Sequence, residues 1–84
     1  MGYWVYILRC GDGTLYTGIA ADVEQRLRAH QSGTGAKYTR GRGPLCVLYR
    51  EELPDKSAAL RREAAIKRLT RAEKLALIAG KTTE

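Results

Sequence analysis

The 84-residue sequence contains no phenylalanine and no asparagine, and it has only one histidine, two cysteines and two prolines. Five tyrosines and one tryptophan supply all of its aromatic surface. Cys10 and Cys46 lie far apart, each in or next to a strand-like apolar segment, with no CxxC pair and a single His30 to join them, so a zinc site is not expected. One disulfide between them is conceivable, but small apolar thiols in strand-like segments read as reduced core residues of an intracellular chain. Long hydrophobic runs are missing as well. The early apolar stretch from Tyr3 to Leu8 is too short for a signal segment or a membrane span. These absences predict a soluble, cytoplasmic protein without membrane contact. A chain of this length buries only roughly 60–65% of its unfolded surface. One domain over residues 1–84, with its core between about residues 3 and 79, is therefore the expected organisation.

What is present is positive charge, and its position matters more than its total. Fifteen Lys and Arg against nine Asp and Glu leave a formal net charge of +6. Between Gln25 and Arg50 there is no acidic residue, whereas Arg26, Arg28, Lys37, Arg40, Arg42 and Arg50 all fall there, interleaved with His30, Tyr38 and Tyr49. A second basic cluster, from Arg61 to Lys74, is diluted only by Glu63 and Glu73. Such a stretch, carrying aromatic and glycine neighbours, is the electrostatic footprint of a polyanion-binding surface, with nucleic acid as the expected partner. A solvated basic face that only maintains solubility is the competing reading.

The patterning predicts an α+β fold: a three-stranded, mainly antiparallel sheet flanked by helices, in the order β-β-α-(short α)-β-α-α. Tyr3 to Cys10 is apolar on both alternating faces, as a central strand is. Gly11-Asp12-Gly13 signals a hairpin, with Thr14 to Ile19 returning. A three-residue loop pairs positions summing to 24, which sets Tyr6 opposite Gly18 and Leu8 opposite Tyr16 and puts both tyrosines on one face. A two-residue loop would separate them; Gly13 suits the left-handed position that ends the longer loop. Asp22 with Gln25 forms a capping pattern for a helix from about Val23 to Ser32, with Gly33 beyond its end. Val23 and Leu27 form its buried stripe, with Arg26 and His30 one turn apart at the edge. Gly33 to Pro44 reads as a basic loop with a single helical turn at Ala36 to Arg40. Leu45 to Arg50 reads as a third strand. A helix is expected over Lys56 to Leu69, and a last one, capped by Thr70 and Glu73, ends at Gly80.

Glu63 stands out on the first of those two later helices. At ~100° per residue, with Ala59 as zero, Ile66 falls near 340°, Leu60 near 100° and Glu63 near 40°. A carboxylate thus sits inside the apolar arc. Burying it alone costs several kcal/mol, so it needs a cation, either an ion-pair partner such as Arg62 or Lys67 or a bound metal.

Two tyrosines on one sheet face, an Arg and a His at i, i+4 on the next helix, and a half-buried Glu on a later helix form a set that resembles the GIY-YIG nuclease family. Trp4-Val5-Tyr6 stands for the first signature triplet and Tyr16-Thr17-Gly18 for the second. Asp22 to His30 is similar to the family's arginine helix, and Glu63 to Lys67 to its glutamate segment. The likeness spans about residues 3 to 79 and is closest to the small bacterial stand-alone members. It implies hydrolysis of DNA phosphodiester bonds with one divalent metal, Mg²⁺ or Mn²⁺, leaving 5′-phosphate and 3′-hydroxyl ends. By the same resemblance Tyr6 and Tyr16 handle the attacking water, Arg26 holds the phosphate, His30 assists proton transfer and Glu63 ligates the metal. Arg28, Lys37, Tyr38, Arg40, Arg42 and Lys67 are the expected DNA contacts. The DNA would be structured, nicked or single-stranded, and a protein partner could supply specificity.

The sequence departs from that pattern at three points. Trp4 replaces the signature glycine, Ile19 stands where many members carry a lysine, and the family's late asparagine is absent. An unperturbed phenol of pKa ~10 is a poor base at neutral pH, by roughly 4 kcal/mol. A tyrosine that binds water while His30 relays the proton avoids that penalty. A basic nucleic-acid-binding module without catalysis, or a nuclease subunit that depends on a partner, are the alternatives.

Overall fold

The computed structural model describes residues 2–32 and 43–82. Lys37, Tyr38, Arg40, Arg42, the Gly33 cap and the helical turn expected at 36–40 lie outside the described residues. The elements are β1 (Tyr3–Arg9), β2 (Leu15–Ala20), α1 (Val23–Gln31), β3 (Cys46–Leu53), α2 (Lys56–Lys67) and α3 (Arg71–Thr82). The sheet is antiparallel with order β2-β1-β3, so β1 is central as its two apolar faces require. The order of elements and the sheet are those expected from the sequence.

The first hairpin takes the three-residue loop. Gly13 has φ +87°, the Asp12 carboxylate accepts from the Thr14 amide at 3.1 Å, and the Cys10 amide donates to the Thr14 carbonyl at 2.8 Å. Tyr6 therefore pairs with Gly18 and Leu8 with Tyr16.

Alternation along β1 feeds two cores. Tyr6, Leu8 and Cys10 pack with Val23 and Leu27 of α1, while Val5 and Ile7 pack with Ile66 of α2 and with Leu77 and Ile78 of α3. Between β1 and β3 the register slips. Ile7 faces Tyr49 but Leu8 faces Val47, so Leu48 is an extra residue. That bulge reverses the phase of β3, placing Val47 in the α1-side core and Tyr49 in the opposite one.

Several boundaries differ from expectation. β3 continues to Leu53 because Glu51 has partners on its own side of the sheet, accepting from the Tyr49 hydroxyl at 2.6 Å and from Arg62 Nε at 3.1 Å. α2 stops at Lys67, where Arg68 and Leu69 close a tighter turn onto the carbonyls of Ala65 and Ile66. α3 runs through Gly80 to Thr82. Gly80 lacks the positive φ of a helix-ending glycine, and a glycine inside the last turn costs only about 1 kcal/mol. The predicted caps form: Asp22 accepts from the Gln25 amide, and Thr70 and Glu73 exchange both bonds of a capping box at 2.8 and 3.1 Å. Leu60, read as part of the apolar arc of α2, is 46% exposed, while Ala59 and Ile66 are fully buried. Among the described residues no helix is long and apolar enough to cross a membrane.

Candidate active site

Tyr6 on β1 and Tyr16 on β2 face α1, with ring centroids 6.4 Å apart. Gly18 makes room for Tyr6. A Cβ at Gly18 would stand 2.7 Å from the Tyr6 hydroxyl oxygen, 2.8 Å from Cζ and 3.1 Å from the Tyr16 ring. The glycine is thus required by close approach. Gly18→Ala is expected to displace the Tyr6 ring and cost about 1–3 kcal/mol, the usual penalty for overpacking. Urea unfolding, with the histidine ring signals in NMR as a local reporter, checks this.

His30 meets Tyr6 from α1. Its Nε2 lies 3.0 Å from the Tyr6 hydroxyl, and its ring is edge-on to Tyr16 at 5.4 Å. The sequence placed Arg26 and His30 together at the edge of the buried stripe, but they part company: His30 is 2% exposed and Arg26 is exposed. The helix turns the imidazole inward against the tyrosines, while Arg26 sits at the rim with its side chain within hydrogen-bonding reach of the Tyr6 hydroxyl. Even so, Arg26 is close enough to bear on the titration of both Tyr6 and His30.

Two pKa shifts define the chemistry. Burial pushes the Tyr6 phenol up to about 12, overriding the opposing pull of the Arg26 guanidinium, with Tyr16 and Glu63 adding to the rise. A phenolate would then be about one part in 10⁵ at pH 7, a handicap of roughly 7 kcal/mol. Desolvation outweighs the guanidinium, so the penalty on a tyrosine base is larger than for an unperturbed phenol. His30 moves the other way, its pKa lowered from 6.5 by burial first and by Arg26 second. It is a neutral proton acceptor at pH 7.

The His30 shift has a consequence for stability. A folded-state value below the unfolded one means that the unfolded chain binds more protons between the two. Stability from this source is intact above the model-peptide value of 6.5 and falls as pH drops from there toward the lower folded value. Urea midpoints of the wild type should decline over that window, and those of His30→Gln should decline less.

Glu63 is half-buried, its side chain 18% exposed, with Lys67 Nζ 3.3 Å from Oε2. It also lies near enough to Tyr6 to raise that hydroxyl's pKa. The ion-pair alternative weighed for Glu63 is therefore realised with Lys67, one turn on. No group of three or more His, Cys, Asp or Glu exists among the described residues that could hold a metal alone. One carboxylate is nonetheless the donor set that Mg²⁺ uses when substrate phosphate oxygens and waters complete its shell, and Glu63 fits that role. Arg28 is an exposed residue of α1.

Trp4, at the place of the signature glycine, packs against the α1-side core with the Arg50 guanidinium 5.9 Å from its ring centroid. Arg50 also pairs with Glu24 of α1 at 2.8 Å. The departure thus ties β1, β3 and α1 together. Sequence reasoning missed Tyr3, Gln25 and Lys56, which with Arg26 line a pocket at the start of α1 and α2. The i, i+3, i+4, i+7 spacing of Asp22, Gln25, Arg26 and Ala29 was the available signal.

Four elements thus bring Tyr6, Tyr16, Arg26, His30 and Glu63 into one neighbourhood, and comparison with known proteins gives the class. The chain belongs to the GIY-YIG family: the profile described as the GIY-YIG catalytic domain matches residues 2–76. Among its relatives, a UPF0213 protein of Streptococcus sanguinis is 54% identical over 79 residues, covering 94% of this chain and 91% of the relative. One from Oceanobacillus iheyensis is 55% identical over 76 residues, with 90% and 88% covered. Two solution NMR structures are similar. A UPF0213 protein of Bacillus halodurans has a TM-score of 0.63 at 47% identity, over 96% of this chain and 86% of that one. A protein of E. faecalis gives 0.69 at 38% identity, over 100% and 90%.

Proposed function

We propose that the chain is a metal-dependent endonuclease domain that hydrolyses DNA phosphodiester bonds in structured, nicked or single-stranded DNA. The observation that carries this reading is the Tyr6 hydroxyl, which has His30 Nε2 at 3.0 Å and both Arg26 and Glu63 within electrostatic reach. Cation, neutral imidazole and carboxylate around one hydroxyl are the parts a phosphodiester hydrolase needs.

The exposed Arg26 holds the scissile phosphate with its planar fork. Tyr16 is half-buried whereas Tyr6 is 1% exposed, so Tyr16 is the tyrosine that meets the attacking water. Water oxygen attacks phosphorus, the bond to the 3′ oxygen breaks, and solvent protonates that oxygen. The proton shed by water passes to the Tyr6–His30 pair behind Tyr16, leaving His30 as imidazolium. Glu63 would hold Mg²⁺ or Mn²⁺, which when bound supplies charge neutralisation at the phosphate and leaving oxygen. Lys67 would have to yield its place on Glu63, and Arg28 adds a contact to the flanking backbone.

One observation favours a second reading. Glu63 already has a cationic partner in Lys67, as it would in a basic DNA-binding module that does not cut or that needs a partner subunit.

Incubation of nicked, flapped and single-stranded DNA with Mg²⁺, Mn²⁺ or a chelator separates the two. Metal-dependent cleavage by the wild type supports the nuclease; binding without cleavage supports the module; cleavage persisting in Glu63→Ala marks a contaminant. The proton route has its own check. The acid limb of the pH-rate profile should be lost or displaced in His30→Ala and retained in Tyr16→Phe, and an unchanged limb in His30→Ala removes His30 from the route.

A further inference from the structure

A pocket of about 540 Å³ opens beside Arg26, within the ~300–1,000 Å³ range of small-ligand sites. Its lining includes Tyr3 from β1, Asp22, Gln25 and Arg26 from the start of α1, and Lys56 from the start of α2. Small and aliphatic residues at the end of β2 complete it. None of this is used by the site described above except Arg26.

We propose that this pocket seats one unstacked nucleobase of the strand whose phosphate rests on Arg26, an inference that depends on the phosphate-holding role given to that residue. Tyr3 offers a ring face for stacking, which every base can use. Gln25 carries both a donor and an acceptor, the combination that reads base edges. Asp22 is fixed in place because its Oδ1 caps α1 by accepting from the Gln25 amide at 3.1 Å. A carboxylate in the lining repels phosphate, so the interior suits an uncharged base. Arg26 and Lys56 serve the phosphates that flank it. A paired base enters only after unpairing and unstacking at a cost of about a few kcal/mol, so the pocket favours strands that are single, flapped or frayed next to the cleaved bond.

The test measures binding, by fluorescence anisotropy with a chelator present, of a short oligothymidylate and of an abasic strand with the same number of phosphates. Wild type should prefer the strand with bases on the order of tenfold, the scale of one base–aromatic stack. Tyr3→Ala should bring that preference close to one. Lys56→Ala should weaken both strands by a similar factor and leave the preference in place. Gln25→Ala, on the exposed face of α1, should narrow the differences between oligonucleotides of different base, and it stands in if Tyr3→Ala does not fold. Equal wild-type affinity for the two strands overturns the pocket, as does a preference unmoved by both Tyr3→Ala and Gln25→Ala. Arg26→Ala distinguishes the layers of the argument: DNA binding that ignores it overturns the phosphate role itself, whereas weakened binding without base preference overturns only the pocket.

Discussion

Glu63→Ala is expected to keep its fold and lose cleavage. The pair with Lys67 spans one helical turn, and its lysine is 55% exposed, so its contribution to stability is about 0.3–0.5 kcal/mol. Alanine's higher helix propensity offsets part of that. Thermal midpoints of variant and wild type should therefore nearly coincide. Cleavage behaves differently. If Glu63 holds the divalent ion, removing it takes away several kcal/mol of charge stabilisation in the transition state, and about 3–4 kcal/mol is 10²–10³-fold in rate. Glu63→Asp, with a carboxylate on a shorter arm, should recover a part. Single-turnover cleavage of a flapped substrate across a Mg²⁺ series measures both effects, and Mn²⁺ binding followed by electron paramagnetic resonance reports metal affinity without reference to activity. A variant that retains full metal affinity would remove Glu63 from the metal site.

Tyr6 should behave in the opposite way, with stability carrying the larger effect. The ring is 1% exposed and belongs to the α1-side core, and it lies against a glycine that cannot move to fill a void. Tyr6→Ala should cost about 3–5 kcal/mol, as other large aromatic deletions do. An 84-residue domain has a total stability of roughly 4–12 kcal/mol, so this one change could consume most of it. Tyr6→Phe keeps the ring and removes only the hydroxyl from His30 Nε2, with an expected cost of about 1–3 kcal/mol. Urea unfolding monitored through Trp4 fluorescence gives both values. The separation between Ala and Phe is the informative quantity, because it divides the packing of the ring from the bond to His30.

Much of this was legible in the sequence, for identifiable reasons. The two apolar faces of β1, the αL glycine at position 13 and the capping residues Asp22, Thr70 and Glu73 are local signals, and each formed as its chemistry demands. The hairpin register followed from loop length alone, and with it the shared face of Tyr6 and Tyr16. What sequence could not carry depended on third parties. Helical spacing put Arg26 and His30 side by side, but only the tyrosine layer explains why the imidazole is buried while Arg26 stays an exposed residue at the rim. The upward shift of Tyr6 lay beyond a sequence reading for the same reason, since burial is a property of the assembled core and outweighs a neighbouring charge. The wheel placed Glu63 inside an apolar arc and the side chain is indeed largely buried, yet the wheel could not choose between a metal and Lys67.

The extra residue at Leu48 was also invisible to a pattern of alternating residues, and it shapes how the molecule can vary. Because β3 changes sides at that point, one strand is anchored in both hydrophobic layers, by Val47 in one and Tyr49 in the other. Deleting a single residue there would not simply shorten the strand. It would turn one half of it inside out, exchanging the layer beneath the tyrosine–histidine pair for the layer beneath α2 and α3. The stretch between Cys46 and Tyr49 should therefore accept changes of side chain far more readily than changes of length.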